Sequence, residues 1–230
     1  MVASGAHFEV SRVSVDRQIA ALLQFAQKSK KRRFVESVDL QCRLKNLGKG
    51  NQRYTVSQAV PYEVKAPKLI LIANQSDLAQ YKSLEEPQSK TIVQTFTVEE
   101  IKMAMAKKKG KDLKHQIKAC DALIASKDIM VSLPKLIGPI LGKTGKFPFS
   151  INNSVQDTIT QVSKTIKMAQ KKSLLIAGRI GNTQMTENQL KSNVFASIGF
   201  VLNALPKGWE NIGSMYLRST MGKPHLVYKS

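Results

Sequence analysis

The sequence predicts a protein of mixed α/β and α+β class. A split β-α-β domain, built from both ends of the chain, is interrupted by a smaller α/β sandwich. Three observations lead there. Residues 38–45, VDLQCRLK, alternate apolar and polar side chains, the period of a strand with one covered face. Residues 68–73, KLILIA, form a continuous apolar run, which suits a strand covered on both faces. After about residue 147 the first texture returns, so residues 1–62 and 148–230 read as one discontinuous domain and 63–147 as its insertion.

The elements follow in order. Residues 15–27, VDRQIAALLQFAQ, place Ile19, Leu22, Leu23 and Ala26 on one helical face. The basic run KSKKRRF comes next, then the alternating strand, with Cys42 on its apolar side. NLGKGNQR reads as a turn and YTVSQAV as a second strand stopped by Pro61. Inside the insertion, Thr97 and Glu100 frame a capping box ahead of IKMAMAKKK. DALIA (121–125) is another covered strand, and Ser126 is placed to cap the helix that follows. Strands alternating with helices predict a parallel sheet. IMVSLPKLIGPILG reads as a helix broken by proline ahead of a hinge-like glycine loop.

Beyond GKFPF, SLLIAGRI (173–180) reads as a strand. Thr186 with Gln189 forms a second capping box, and Leu190, Val194, Ile198, Val201 and Leu205 make one helical stripe. SMYLRST is a strand, STMG a turn, and HLVY a last short strand. The order helix, strand, strand, insertion, strand, helix, strand makes the start and finish of the chain spatial neighbours.

Charge narrows the function. The 230 residues hold 36 Lys and Arg against 16 Asp and Glu, a formal +20, and 42% are apolar. The apolar share is enough for a packed core, and a surplus of +20 repels itself unless a polyanion neutralises it. Nucleic acid is the expected polyanion. A membrane is not expected, because no apolar run reaches 18 residues and the first residues carry no secretory pattern. Two cysteines far apart, Cys42 and Cys120, suit a reducing compartment and no disulfide or zinc framework. The outer pieces hold 21 basic against 7 acidic residues, and the insertion 15 against 9. The principal nucleic-acid surface is therefore expected on the outer domain.

One segment, Gly138-Pro139-Ile140-Leu141-Gly142-Lys143-Thr144, imitates a phosphate-binding loop. It has three residues between its first glycine and Gly-Lys-Thr where such a loop has four, so an NTP-dependent enzyme is the weaker reading. His7, His115 and His225 are scattered, with neither metal nor triad spacing. The basic run Lys28, Lys30, Lys31, Arg32, Arg33, with Phe34 directly after it, reads either as a solvated helix end or import signal, or as phosphate contacts beside a stacking aromatic. The overall charge favours the second reading. Ser219, Thr220 and Gly222 add short polar groups and a glycine that lets backbones approach, which suits contacts to RNA 2′-hydroxyls.

KKRRFVESVDLQCRLKN, LPKLIGPILGKTGKFP and LRSTMGKPHLVY, in that order, resemble the ribosomal protein L-one family, in its eukaryotic L-ten-a branch, over essentially the whole chain. The resemblance implies a split β-α-β (ferredoxin-like) domain with an inserted Rossmann-like three-layer α/β domain. It implies a non-enzymatic constituent of the large ribosomal subunit, cytoplasmic and ribosome-bound, with transit through the nucleolus during assembly and no cofactor. The partners implied are the rRNA of the mobile lateral stalk and deacylated tRNA in the exit site. Messenger RNA that mimics the stalk site is the alternative partner of the same surface. Carried over by motif, Arg33, Phe34 and Ser37 match one side of the RNA surface. Thr220, Met221 and Gly222 match the other, with Ser214 six residues upstream and Arg218, Ser219 and Lys223 flanking the turn. The chain departs from the family pattern at Ile140 and Gly142, where eukaryotic members usually carry Gly and Asn, and at His225-Leu226-Val227, where a more polar continuation is usual.

Overall fold

The computed structural model describes residues 12–28, 33–46, 54–64, 67–82, 92–106, 110–152, 154–170, 173–205 and 207–230. Along the chain run helix α1 (Arg12–Lys28), strands β1 (Ser37–Leu44), β2 (Thr55–Ala59) and β3 (Leu69–Ile72), helix α2 (Gln75–Lys82) and strand β4 (Ile92–Phe96). Helices α3 (Val98–Ala106) and α4 (Gly110–Ala119) precede strand β5 (Ala122–Ser126), helices α5 (Lys127–Met130) and α6 (Leu133–Thr144) and strand β6 (Pro148–Ile151). Helix α7 (Val155–Lys164), strands β7 (Thr165–Gln170) and β8 (Leu175–Asn182), helix α8 (Glu187–Ala204), and strands β9 (Ile212–Ser219) and β10 (Pro224–Lys229) complete the chain. They fall into two compact units, Met1–Lys65 with Lys164–Ser230, and Ala66–Ser163.

Unit 1 is a six-stranded antiparallel sheet in the order β10-β9-β1-β8-β7-β2. Both α1 and α8 cover one face. The alternation read in the sequence is the alternation observed, because Val38, Leu40, Cys42 and Leu44 are buried while their neighbours are not. They pack with Val15, Ile19 and Leu22 of α1 and with the α8 stripe Leu190, Val194, Ile198 and Val201. The α8 capping box is present in full, with Thr186 accepting from Gln189 N and Gln189 reaching back to the Thr186 amide. Buried Asn193 of α8 accepts from Tyr62 N at 3.1 Å and donates to the carbonyls of Tyr62 at 3.1 Å and Ile180 at 3.0 Å. Its amide is thereby satisfied, so its burial costs little.

Two features of this unit go beyond what the sequence pattern states. The second strand, β2, is not beside β1. It pairs with β7 at the far edge of the sheet. The intervening NLGKGNQR turn lies largely outside the described residues. The second feature is β7 itself, which the sequence reading passes over. It follows α7 without a connecting loop, and its covered face is carried only by Ile166, Met168 and Gln170.

Unit 2 is a four-stranded parallel sheet, β4-β3-β5-β6, with a core on each face. Ile70, Ile72, Leu123 and Ala125 pack with residues of α3, α4 and α6, and Leu69, Leu71 and Ile124 pack with α2 and α7. That is the three-layer arrangement, and it explains why KLILIA and DALIA are apolar without alternation. The Thr97–Glu100 capping box forms as expected.

Three expectations for the insertion are corrected. It extends to Ser163, not to residue 147, because β6 pairs in parallel with β5 and Val155, Ile159 and Val162 of α7 join the unit's own core. Ser126 does not cap α5 with its side chain. Its hydroxyl instead donates to Asp77 and accepts from Asn74 N at 3.1 Å, tying α2 to the end of β5. The Gly138–Thr144 segment is neither hinge nor phosphate loop, since it lies within α6, which ends only at left-handed Gly145 (φ 67°). Two glycines and Pro139 cost the helix about 5 kcal/mol in propensity. Burial of Leu133, Ile137, Ile140 and Leu141 returns about 6–12 kcal/mol, so packing wins.

Complete burial pushes the Cys42 thiol up from its ordinary 9.0 to about 12. A raised thiol pKa favours the neutral form, so this contribution to stability is whole below pH 9 and declines as pH rises from 9 toward 12. In the native protein at pH 8, Cys42 should resist alkylation and become labelled only on unfolding; rapid native labelling, read by mass spectrometry, would refute the burial. A second expectation concerns autonomy. Val60 N donates to Lys164 O at 2.9 Å, so the two crossings into the insertion leave unit 1 side by side. Excising residues 66–163 and joining the flanks with a short Gly-Ser linker should leave unit 1 with a cooperative thermal transition by circular dichroism. A shortened chain without such a transition would show that unit 1 depends on the insertion.

Candidate nucleic-acid interface

The antiparallel pairing of β1 with β9 decides what meets at this end of the sheet. Val38 lies opposite Ser219, and Thr220 N extends the ladder by one rung to Ser37 O at 3.0 Å. The segment that starts β1 and the turn that leaves β9 are thereby brought together across 183 residues of chain. The two halves of the sequence-predicted surface thus form one place.

Its centre is a pair of hydroxyls. Thr220 Oγ1 lies 3.0 Å from Ser37 Oγ and accepts from Ser37 N at 3.1 Å. The amide helps fix the Thr220 rotamer, so the two oxygens are held at a set position on an exposed edge. Glu36, only 5% exposed, reaches across to accept from Met221 N at 3.1 Å. Gly222 N closes the turn on Ser219 O at 3.1 Å, and Arg218 Nε donates to Gly222 O at 3.3 Å. Around this polar centre stand large apolar side chains with little cover, Phe34 at 55% and Met221 at 57% exposed. Lys28, Arg33, Arg218 and Lys223 are exposed as well.

Not every expected residue takes part. Ser219 is 2% exposed and on the core side of β9, in the same phase as Met215 and Leu217, so it is a packing residue. Ser214 shares the open side of β9 but is 6% exposed and lies about 20 Å along the strand from Thr220. The structure does not bring it to the turn. Lys30, Lys31 and Arg32 lie outside the described residues. Glu36 went unread in the sequence, because an acid beside a basic run signals nothing by itself. Its position one residue before the strand is the only hint that it faces the incoming turn. Among the histidines, His7 lies outside the described residues and His115 is exposed. His225 is half-buried, and burial lowers its pKa.

The charge distribution sharpens with the observed boundaries. Unit 1 holds 22 Lys and Arg against 7 Asp and Glu, and unit 2 holds 14 against 9. The unit that carries the turn thus bears +15 of the +20. Among the described residues, no group of His, Cys, Asp and Glu could hold a metal ion, and no helix is long and apolar enough to cross a membrane.

Gly222 has no room for a side chain unless Ser219 gives way. A Cβ there would sit 2.2 Å from Ser219 Oγ and in ordinary contact with Phe25. Gly222→Ala should therefore cost about 1–3 kcal/mol in urea unfolding. Adding Ser219→Ala removes the clashing oxygen and should recover most of that loss. A double variant as unstable as the single one would place the strain elsewhere.

The family model of the ribosomal protein L1p/L10e family matches residues 25–223. The large ribosomal subunit protein uL1B of Schizosaccharomyces pombe is 34% identical over 226 residues, spanning 96% of this chain and 99% of that protein. The large ribosomal subunit protein uL1 of Spodoptera frugiperda is 35% identical over 225 residues, 96% of this chain and 99% of that protein. Its counterpart in Dictyostelium discoideum is 34% identical over 224 residues, 95% of this chain and all of that protein. Matched across its length in sequence, and built as an antiparallel and a parallel α/β unit, the chain belongs to the ribosomal protein L1p/L10e family.

Proposed function

We propose that this protein is a structural constituent of the large ribosomal subunit and grips the rRNA of the mobile lateral stalk through the Ser37–Thr220 end of unit 1. The observation that carries this reading is the fixed hydroxyl pair of Ser37 and Thr220, flanked by exposed Phe34 and Met221 on a unit of charge +15. The hydroxyls suit 2′-hydroxyls and phosphate oxygens, the apolar pair suits sugars and unstacked bases, and Arg33, Arg218 and Lys223 suit phosphates. The names of the relatives, all proteins of the large ribosomal subunit, support the part of this reading that makes the chain a constituent of that subunit. The stalk position carries with it contact with deacylated tRNA in the exit site and a part in its release. The role is structural, not catalytic, and the one segment that imitated a nucleotide loop is helix.

Binding to a stalk rRNA fragment tests the assignment. Thr220→Val keeps the size of the side chain and should weaken binding by about 1–2 kcal/mol, the scale of a lost hydrogen bond with its partner left unmet. Unchanged affinity removes Thr220 from the site. Arg33→Gln should lower the slope of log affinity against log salt by about 0.7–0.9 if Arg33 touches one phosphate. An unaltered slope makes Arg33 a bystander.

A further inference from the structure

Only one face of the unit 1 sheet is covered by α1 and α8, and the register fixes what lies on the other. Leu40 and Cys42 point to the core, so Asp39, Gln41 and Arg43 point away from it. Asp39 stands in register between Arg218 of β9 and Arg179 of β8. Ala177 of β8 sits beside Gln41 on one side and Ala169 of β7 on the other. Here the surface dips into a recess of about 270 Å³ lined by Asp39, Ala169, Ser173, Leu175, Ala177 and Arg179.

The recess is held in shape. Buried Gln170 accepts from Tyr54 N at 3.3 Å and donates to Ser173 O at 3.1 Å, which fixes the rim where β7 gives way to β8. Its side chains are small at Ala169 and Ala177, where the sheet is its floor, with Leu175 walling one end and charges at the other. Asp39 and Arg179 both face it, yet among the described residues neither forms an ion pair. It also adjoins the turn, since Ser37 Oγ lies 3.5 Å from Asp39 Oδ1 and Arg218, in register with Asp39, donates to Gly222 O.

We propose that this recess binds one unpaired guanine of the RNA held at the Ser37–Thr220 end, an inference that rests on the RNA-binding reading above. A base can lie flat on the Ala169–Ala177 floor, where branched side chains would hold it off. Guanine presents two parallel donors, N1–H and N2–H, that match the two oxygens of the Asp39 carboxylate. Adenine and cytosine each set a ring-nitrogen acceptor beside their single amino donor, and uracil flanks its one N–H with two carbonyls, so all three meet repulsion from a carboxylate. The Arg179 guanidinium can stack on the base or take its phosphate.

The test is amide NMR of the full-length protein titrated with GMP, AMP, CMP and UMP in turn. GMP should give saturable shifts at Ala169, Ala177, Gly178 and Arg179, and the other three nucleotides should not. Asp39→Asn, which presents only one acceptor oxygen, should weaken GMP about tenfold, with the Leu40 and Leu217 amides unmoved as proof of folding. Saturating stalk rRNA fragment should displace GMP from these residues. Equal shifts from all four nucleotides, no shifts in the recess, or GMP that stays bound beside saturating RNA would each overturn the proposal. If Thr220→Val weakens the RNA while GMP leaves the recess untouched, the recess fails and the RNA-binding reading stands. If the RNA does not bind at all, both fail.

Discussion

Strand β1 is the element on which the rest of unit 1 depends. It is laid down near the start of the chain, and both of its edges are filled by strands from near the end, β8 on one side and β9 on the other. Every alternate side chain, Val38 through Leu44, is shut into the core by these pairings and by α1 and α8. Moving β1 by one residue would turn that entire set outward and expose it to water, so the register is strongly specified. The register in turn decides that Thr220 meets Ser37 and that Asp39 stands between two arginines. The site is a consequence of a core constraint.

The turn itself shows how a candidate binding surface can be held rigid with few residues. Three backbone groups around it are satisfied from within, Thr220 N by Ser37, Met221 N by Glu36 and Gly222 N by Ser219. The exposed side chains of Thr220 and Met221 therefore project from a fixed frame, and less conformational entropy is lost when a partner is bound. Buried Glu36 also places a negative charge within a strongly basic unit. Its carboxylate accepts the turn's Met221 amide and so ties the turn to the start of β1.

Much of this was legible in the sequence where one physical cause dominated. The period of two in VDLQCRLK, the stripe on α8 and both capping boxes were read correctly, because local pattern and tertiary burial ask for the same residues. The reading failed where distant partners intervened. Ser126 has the composition of a helix cap, but Asp77, 49 residues away, takes its hydroxyl. The Gly-Pro-rich α6 looks like a loop by propensity and is a helix by burial. Strand β7 was hidden because its outer face is Thr165, Lys167 and Ala169, which carry no strand signature alone. At the site, the turn and the basic run were each visible, but Glu36 was not, since its role exists only once β1 and β9 are paired. The same pairing moved Ser219 inward and left Ser214 far from the turn.

The long reach of β1 also sets an order of events during synthesis. Ser37 and Thr220 are 183 residues apart, so at about 5–20 residues per second β1 waits roughly 10–40 s for its last partner to be made. The parallel sheet of unit 2 is complete in sequence by residue 151 and can close first, although it is encoded second. Until β8 and β9 emerge, β1 has two open edges and an apolar face with nothing from the chain's far end to cover it, the condition in which strands recruit one another. The five cations among residues 28–33 sit immediately ahead of it. Like charges so placed on two chains repel one another, which opposes pairing of their exposed edges. The charge that sets this unit apart in the folded protein thus also bears on the chain while its sheet is incomplete.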